Sequence, residues 1–286
     1  MATVPKKKNV LIIILPVVFI LLAVGLILYP SISSFVNNLN SRNVVSEYVG
    51  YTQTMELDEH DKFMAQAREY NSNMVGHYAD AFSEENDDTS GNYEDILNVG
   101  PDGQICNVTI DKINCSLPVY HTSEGNLDKG AVHMMNTSFP TGDVDTHTVI
   151  SAHTAYPTKE FFNKLTDVEV GDKFQIDFLG DTLVFQVSDI NVVLPEETDL
   201  LQVVPGKTLC TLVTCTPYSI NTHRLLVTGQ LVEKISYRDG SEKQIQHLSE
   251  FDYSTVIPVA IAGGIILILF IVLIVVMVRI RKNSLG

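Results

Sequence analysis

Acidic residues are absent from both ends of this chain. All 34 Asp and Glu lie between Tyr29 and Tyr253, whereas six of the 19 Lys and Arg lie outside that interval. The interval therefore combines 34 acidic with 13 basic residues, a balance of −21. A surface this acidic repels phosphates, which argues against nucleic acid as a partner. Apolar residues make up 45% of the chain and charged residues only 19%, which excludes a disordered acidic protein.

Cysteine is scarce and shows no metal-binding spacing. The four cysteines include no Cys-x-x-Cys pair, so the sequence predicts no zinc site and no cofactor. Cys106 and Cys115 share one extended segment, and Cys210 and Cys215 share another, so neither pair bridges without a turn. A disulfide between Cys210 and either Cys106 or Cys115 is an alternative that the sequence leaves undecided, because a domain outside the cytoplasm can keep a disulfide.

Two long runs carry no charge. Residues 10–29 and 256–278 each reach the roughly 20 apolar residues that a membrane span needs. Basic residues in the tails 1–9 and 279–286 favour a cytoplasmic position for both termini. We therefore expect a transmembrane anchor, an outside section over 30–255 and a second transmembrane helix. The alternatives are a cleaved signal peptide for the first run and a buried core helix for the second.

The outside section changes its period near Asn92. Residues 30–91 are predicted as a helical segment with a polar linker, because apolar residues recur at spacings of three and four over Ser41–Arg68. Short alternating runs with turn signals between them follow, which predicts a closed barrel or a sandwich. These runs are Ile105–Ile113, Thr146–Ser151, Lys173–Phe178, Leu183–Val193, Thr208–Thr214 and Arg224–Val232. A short helix is expected at Thr158–Leu165, and residues 236–255 form a second linker.

Three predicted strand ends carry side chains that suit acyl transfer. Cys215 ends one strand before a Pro-containing loop, Arg224 opens the next strand, and His153 ends a third. Catalytic side chains are often found on loops held by a rigid scaffold. A thiolate attacks a carbonyl, an imidazolium protonates the leaving amine, and a guanidinium stabilises the oxyanion. The alternative is a buried structural cysteine at position 215.

These residues lie within segments that resemble a known family. Thr211–Pro217 resembles the active-site strand of the sortases, and Asn221–Val227 resembles the strand that carries their arginine. Val149–His153 is similar to the strand that holds their histidine. Cys115–His121 and Gly130–His133 resemble early barrel strands of the pilus-building sortases, called class C.

The resemblance extends over residues 92–235 and implies the fold and the roles. The implied fold is mainly β: a closed eight-stranded sortase-type barrel with short helices, a helical N-terminal segment and two transmembrane helices. By motif position, Cys215 is the nucleophile, His153 the acid and base, and Arg224 the group that stabilises the oxyanion or the substrate. Thr214 is expected to contact the substrate backbone.

Two more histidines and two departures accompany the resemblance. His133 and His223 are further candidates for substrate contact. Class C sortases usually place Arg-Gly-Leu-Pro after the histidine, whereas residues 154–157 are Thr-Ala-Tyr-Pro here. The sequence also lacks the Asp-Pro-aromatic motif that anchors a lid in many class C members. Either no lid exists, or residues 83–98 form one with Tyr93 as its plug.

The resemblance implies a membrane-anchored cysteine transpeptidase. Sortases cut a Leu-Pro-x-Thr-Gly-like signal in a secreted protein and hold the fragment as a thioester. In class C the accepting amine belongs to a pilin lysine, so that pilin or surface-protein substrates are the expected partners at the cell membrane. The alternatives are a sortase that anchors proteins to a peptidoglycan precursor, an unrelated cysteine peptidase, and a non-catalytic tethered barrel that binds a partner.

Overall fold

The structure is a computed structural model that divides into two compact units. One unit comprises Met1–Asn37 with Glu250–Gly286, and the other comprises Asn38–Ser249. The described residues are 10–74, 93–99, 103–122, 125–156 and 158–237, with single positions between 260 and 279. The predicted N-terminal tail, the linker at 83–91 and most of the linker at 236–255 lie outside these residues.

A long apolar helix begins the described chain. This helix, α1, spans Val10–Gln53, and its first part belongs to the first unit. From Val18 onward it contains an 18-residue stretch that has a mean hydropathy of 2.2 and in which no residue is buried. By length and composition it can cross a membrane, which is consistent with the predicted N-terminal anchor. Described positions between 260 and 279 are helical, but they are too few to test the second predicted span.

The second unit is built around a closed barrel of eight strands, as predicted. The order around the barrel is β1-β2-β3-β4-β7-β8-β6-β5. The pairs β2–β3 and β4–β7 are parallel, and the other pairs are antiparallel. The strands are β1 (Gln104–Ile110), β2 (Cys115–His121), β3 (Ala131–His133), β4 (Thr146–Ser151), β5 (Lys173–Phe178), β6 (Asp181–Val193), β7 (Thr208–Thr216) and β8 (His223–Ser236).

The barrel wall is packed on both of its faces. The interior is filled by apolar side chains, among which the rings of Phe174 and Phe185 stack with centroids 5.4 Å apart. A second, smaller group of buried apolar residues, here called the outer cluster, packs separately from the interior core. It consists of Val132, Met134, Val149, Leu201, Val213 and Leu226. Strands that pack on both faces are held firmly, because any shift would disrupt close packing on two sides.

The single helix predicted over Ser41–Arg68 is instead two helices. The second helix, α2, spans Leu57–Met74 after a three-residue break. The hydroxyl of Thr54 lies 3.1 Å from the carbonyl oxygens of both Gly50 and Tyr51, so its one proton is available to a carbonyl at the end of α1. Asp58 and Glu59 stand in the first turn of α2, where the helix dipole favours negative charge.

Two other sequence-based expectations differ from the structure. The helix expected at Thr158–Leu165 is a series of turns that leads into a 3-10 helix at Leu165–Asp167. The strand expected over Ile105–Ile113 ends at Ile110, and a 3-10 helix at Asp111–Ile113 turns the chain into β2. All four cysteines are free thiols, so the disulfide that was left open is not formed.

Close packing at Gly229 yields a stability prediction. A Cβ at this position would lie 2.6 Å from Phe174 Cε1 and 2.9 Å from Phe185 Cβ. We expect Gly229→Ala to lower the free energy of unfolding by about 1–3 kcal/mol, the usual cost of overpacking. Gly50→Ala is the control, because its Cβ meets nothing within 4 Å and alanine favours a helix. Thermal unfolding of the full-length protein in detergent measures both, and equal melting temperatures would contradict the packing argument.

Candidate active site

Strands β4, β7 and β8 end or begin at one shared edge of the barrel. Because β4 and β7 are parallel, they end at the same edge, and the antiparallel β8 starts there. Residues along a strand alternate between the two faces, so paired positions on neighbouring strands point the same way. The three strands therefore present one continuous outer face that runs up to this edge.

The outer face has three tiers. The lowest tier is polar and hydrogen-bonded, the middle tier is apolar and belongs to the outer cluster, and the top tier carries the predicted reactive groups. The lowest tier consists of the paired Thr211 and Thr228, together with His147, which lies lower on β4 and contacts the hydroxyl of Thr211. The middle tier consists of the paired Val213 and Leu226, together with Val149, which lies lower on β4 beside Thr211; the β4 residue paired with Val213 is Ser151. The top tier consists of His153, Cys215 and Arg224. A reactive edge is thus supported from below by buried side chains.

The main chain brings His153 to Cys215. The amide of Ala152 donates to the carbonyl of Val213 at 3.1 Å, and the hydroxyl of Thr214 donates to the carbonyl of Ala152 at 2.8 Å. These bonds extend the pairing of β4 with β7 beyond the end of β4. Continuing the same register places His153 beside Cys215 on chains about 4.8 Å apart.

Arg224 lies directly opposite Cys215 across the antiparallel pair β7–β8. Its Nη1 donates to the carbonyls of Asn221 and His223, at 3.3 Å and 3.2 Å, so the guanidinium is held over the β7–β8 loop. Cys215 is partly exposed, unlike the other three cysteines. A thiol, an imidazole and a guanidinium at one edge form the set that acyl transfer through a thioester uses.

The surroundings of His153 include a carboxylate that the sequence analysis missed. Asp128 Oδ1 lies 3.4 Å from His153 Nε2, and the rings of Tyr156 and Phe161 lie 5.4 Å and 6.1 Å from the imidazole. The ammonium of Lys159 donates to the main-chain carbonyl of Asp128 and so ties the β2–β3 turn to the loop after β4. No motif or spacing marks Asp128 in the sequence, because its position depends on this contact between distant segments.

Thr214 and His223 face away from the reactive groups. The side chain of Thr214 is buried, and its hydroxyl is used to join β7 to the chain after β4. His223 pairs with Thr216, one position away from the Cys215–Arg224 pair, and its Nδ1 lies 2.9 Å from the hydroxyl of Thr222. In the structure, Thr214 therefore stabilises the pairing of β7 with the chain after β4. Contact of Thr214 or His223 with the substrate stays a prediction.

The structure does not place His133 at the reactive edge. Its side chain is fully buried, its ring stacks on Phe139 with centroids 4.5 Å apart, and its Nε2 lies 3.0 Å from the carbonyl of Ser138. Burial lowers the pKa of His133 to about 3, so the imidazole is neutral. Substrate contact through this ring was expected from the sequence, but the ring is enclosed by the aromatic side chains around it.

Tyr93, the expected plug of a lid, belongs to the same aromatic cluster. Its side chain is 1% exposed, and its hydroxyl donates to the carbonyl of His133 at 2.7 Å. Its ring packs beside Tyr70 of α2 and beside Phe139. Tyr93 therefore fastens the chain after the linker to α2 and β3. The rest of the lid segment, at 83–92, lies outside the described residues, so the lid stays a prediction.

Acidic residues cluster in the loop between β6 and β7. Glu196, Glu197 and Asp199 follow each other closely, and the carboxylate of Glu197 accepts a hydrogen bond from the amide of Leu194 at 2.9 Å. Within the ranges that the structure describes, no group of three His, Cys, Asp or Glu side chains could hold a metal ion. In the structure, the carboxylate of Glu197 thus closes the turn that follows β6.

Comparisons with known proteins agree with this geometry. A family model described as the sortase domain matches residues 108–232. Sortase C-1 of Streptococcus pneumoniae is 36% identical with a TM-score of 0.61, over 67% of this chain and 98% of that one. The pilus-related sortase C of Group B Streptococcus is 36% identical with a TM-score of 0.59, over 66% and 97%. Sortase C-1 of Actinomyces oris is 40% identical with a TM-score of 0.56, over 61% and 99%. No curated protein matches the chain significantly.

The fold and these similarities define the protein as a cysteine transpeptidase. The chain belongs to the sortase family, and the solved structures that it resembles are class C sortases. It covers nearly the full length of those structures, so the similarity includes the whole barrel.

The burial of the thiols predicts which cysteine reacts. Burial raises the pKa of Cys115 to about 12 and raises those of Cys106 and Cys210 as well, so these thiols are both enclosed and protonated. Thiol alkylation follows exposure and thiolate fraction. We expect iodoacetamide to add one group to the native full-length protein, at Cys215, and to add none to Cys215→Ala. Peptide mass mapping checks this, and early modification of a buried cysteine would contradict it.

Proposed function

We propose that this sortase cleaves a Leu-Pro-x-Thr-Gly-like sorting signal and joins the threonine carbonyl to a lysine amine of a pilin. Repeated transfer then polymerises pilus subunits. The observation that carries the proposal is the convergence of Cys215, His153 and Arg224 on one edge of the outer face. The similarity to a pilus-related sortase C supports the choice of a pilin as the substrate.

The first half of the proposed reaction forms a thioester. The thiolate of Cys215 attacks the threonine carbonyl carbon, and the carbonyl electrons move onto the oxygen. The guanidinium of Arg224 stabilises this oxyanion. As the carbon–nitrogen bond to glycine breaks, the imidazolium of His153 gives its proton to the departing nitrogen. The threonine carbonyl is then bound to sulfur, and the glycine fragment leaves as a free amine.

The second half transfers the acyl group to a new amine. The nitrogen of the incoming lysine amine attacks the thioester carbonyl carbon, and the neutral imidazole of His153 takes a proton from that amine. An isopeptide bond forms, the carbon–sulfur bond breaks, and the thiolate of Cys215 is regenerated. His153 ends as an imidazolium, so the catalytic groups return to their starting charges.

The helix α1 supplies the proposed attachment to the membrane. Its apolar stretch can span a bilayer, and the basic residues that precede it favour a cytoplasmic N-terminus. The barrel would then lie outside the cell, beside the membrane from which secreted pilins emerge. The second span at 256–278 and the cytoplasmic C-terminus belong to the same proposal.

Polymerisation of a pilin tests the proposed function. Incubation of the full-length protein in detergent with candidate pilins should give a ladder of covalent multimers, and Cys215→Ala should give none. Because Cys215 is at the edge rather than in the core, the melting temperature of the variant should match that of the parent. Transfer to a peptidoglycan-like amine without a ladder would indicate a wall-anchoring sortase. Transfer to water alone would indicate a peptidase.

Arg224→Lys should separate charge from geometry. A guanidinium presents a planar fork of donors, whereas an ammonium is a point donor on a flexible stem. We expect the acylation rate to fall by roughly 10²–10³, as for loss of an oxyanion donor. The lysine keeps a positive charge opposite Cys215 and leaves the exposure of the thiol unchanged, so alkylation of Cys215 should stay within about threefold of the parent. An acylation rate close to the parental one would refute the role of the guanidinium.

Asp128 is proposed to orient His153 and to form an ion pair with the imidazolium that arises during the reaction. A base that is itself oriented by a third group is a recurrent arrangement with activated nucleophiles. The pair is partly exposed, with side-chain exposures of 33% for His153 and 60% for Asp128. Its contribution should therefore be modest.

We expect Asp128→Asn to lower the acylation rate by about two- to fivefold, the worth of an exposed ion pair. Added salt should slow the parent towards the rate of the variant, because salt screens exposed charges. The control is Glu233→Gln, which removes an exposed carboxylate nine residues along β8 from Arg224. Stopped-flow acylation at two salt concentrations measures these rates. Equal salt dependence in Asp128→Asn and the parent would contradict an electrostatic role.

A further inference from the structure

A buried histidine joins the outer face of the barrel to the loop between β6 and β7. His147 is fully buried in the lowest tier of that face. Its Nδ1 lies 2.7 Å from the carbonyl oxygen of Gln202, and its Nε2 lies 2.7 Å from the hydroxyl of Thr211. The hydroxyl of Thr211 lies 2.8 Å from that of Thr228 on β8. One chain of hydrogen bonds therefore links the loop to three strands.

The direction of each hydrogen bond in this chain follows from its partners. A carbonyl oxygen can only accept, so Nδ1 of His147 carries the proton and donates to Gln202. The neutral ring then has a lone pair on Nε2, which accepts from Thr211. The oxygen of Thr211 is left to accept from Thr228. Burial lowers the pKa of His147, although the bond to Gln202 opposes the shift, so the neutral ring suits this arrangement.

The anchored loop carries a side chain into the outer cluster. Leu201 precedes Gln202 and is 6% exposed, and it packs in the outer cluster with Val213 and Leu226. These two residues lie on the same face as the Cys215–Arg224 pair, two positions along β7 and β8. The position of Leu201 therefore determines the shape of the surface immediately below the reactive edge.

The two ends of this loop, residues 194–207, are tied separately. Near its start, Glu197 caps the amide of Leu194 at 2.9 Å. Near its end, the carboxylate of Asp145 accepts from the amide of Gly206 at 2.5 Å. The bond from His147 to Gln202 acts between these ties, at the part of the loop that faces the outer cluster.

We propose that His147 is a positioning residue that holds the loop 194–207 as one wall of the substrate site beside Cys215. The proposal rests on the proposed function, because it assigns the loop to binding of the sorting signal. His147 would act through Gln202 and Leu201 and would not touch the reacting atoms. Its loss should therefore weaken substrate binding and leave the chemical step and the thiol unchanged.

Two substitutions separate the two hydrogen bonds of His147. In His147→Asn the amide nitrogen occupies about the place of Nδ1, so the donor to Gln202 is kept and the contact with Thr211 is lost. In His147→Gln the amide oxygen occupies about the place of Nε2, so the contact with Thr211 is kept and the donor to Gln202 is lost. Each variant gives up one buried hydrogen bond, so similar losses in melting temperature are expected.

The expected result is a difference in KM between the two variants. With the full-length protein in detergent and a fluorogenic Leu-Pro-x-Thr-Gly peptide, His147→Gln should raise KM by about two- to tenfold, the worth of one hydrogen bond. His147→Asn should stay within about twofold of the parental KM, and kcat should change little in either. Hydrogen exchange of the loop amides should accelerate in His147→Gln and remain near the parental rate in His147→Asn.

Equal KM values in the two variants, or unchanged loop exchange in His147→Gln, would overturn the proposal. A fall in kcat with a constant KM would also overturn it, because a wall of the binding site acts on binding. The exchange measurement needs no activity. If the parent transfers no acyl group, the proposed function is wrong. Hydrogen exchange of the amides in the loop 194–207 still tests whether His147 holds this loop.

Discussion

The parallel pairing of β4 with β7 is the constraint on which the rest of the site depends. Parallel strands end at the same edge, and joining them requires a long crossover, which here contains β5 and β6. The crossover forms the far side of the barrel and returns the chain beside β4. Because of this topology, His153 and Cys215 lie side by side although they are far apart in sequence, and the antiparallel pairing of β7 with β8 places Arg224 opposite the cysteine.

Packing on both faces makes that edge a firm support. The middle residues of β4, β7 and β8 alternate between the barrel interior and the outer cluster, and both sets are buried. Val213 faces outward and Leu212 faces inward, each with no exposure. A strand held on two sides cannot shift without opening two close-packed regions, so the groups at its end keep their relative positions. Precision at the edge thus comes from apolar side chains below it.

Three histidines of this barrel show how environment divides one residue type among different roles. His133 and His147 are fully buried, and burial lowers the pKa of each, so both serve as neutral hydrogen-bonding groups. His153 is partly exposed, with a carboxylate at 3.4 Å, and is the ring that we propose exchanges protons with the substrate. Desolvation separates these roles, because a charged imidazole is costly where the ring is buried and tolerable at the exposed edge of the barrel.

Much of the fold could be predicted from the sequence. Alternation of apolar residues located the strands, and Thr146–Ser151 and Lys173–Phe178 match β4 and β5 at both ends. The closed barrel and membership of the sortases are confirmed as well. The helix predicted over Ser41–Arg68 is wrong at one place, where α1 ends at Gln53 and α2 begins at Leu57, because the apolar spacing does not mark this break.

The sequence by itself determined the strands, the apolar N-terminal segment and the segments that carry the predicted reactive side chains, because periodicity and short motifs are properties of neighbouring residues. Only the tertiary structure decided what surrounds those side chains. Asp128 reaches His153 through a turn held by Lys159, and Tyr93 encloses His133 in an aromatic cluster. Such contacts join distant segments, and their existence depends on strand register and barrel closure, which local patterns do not specify.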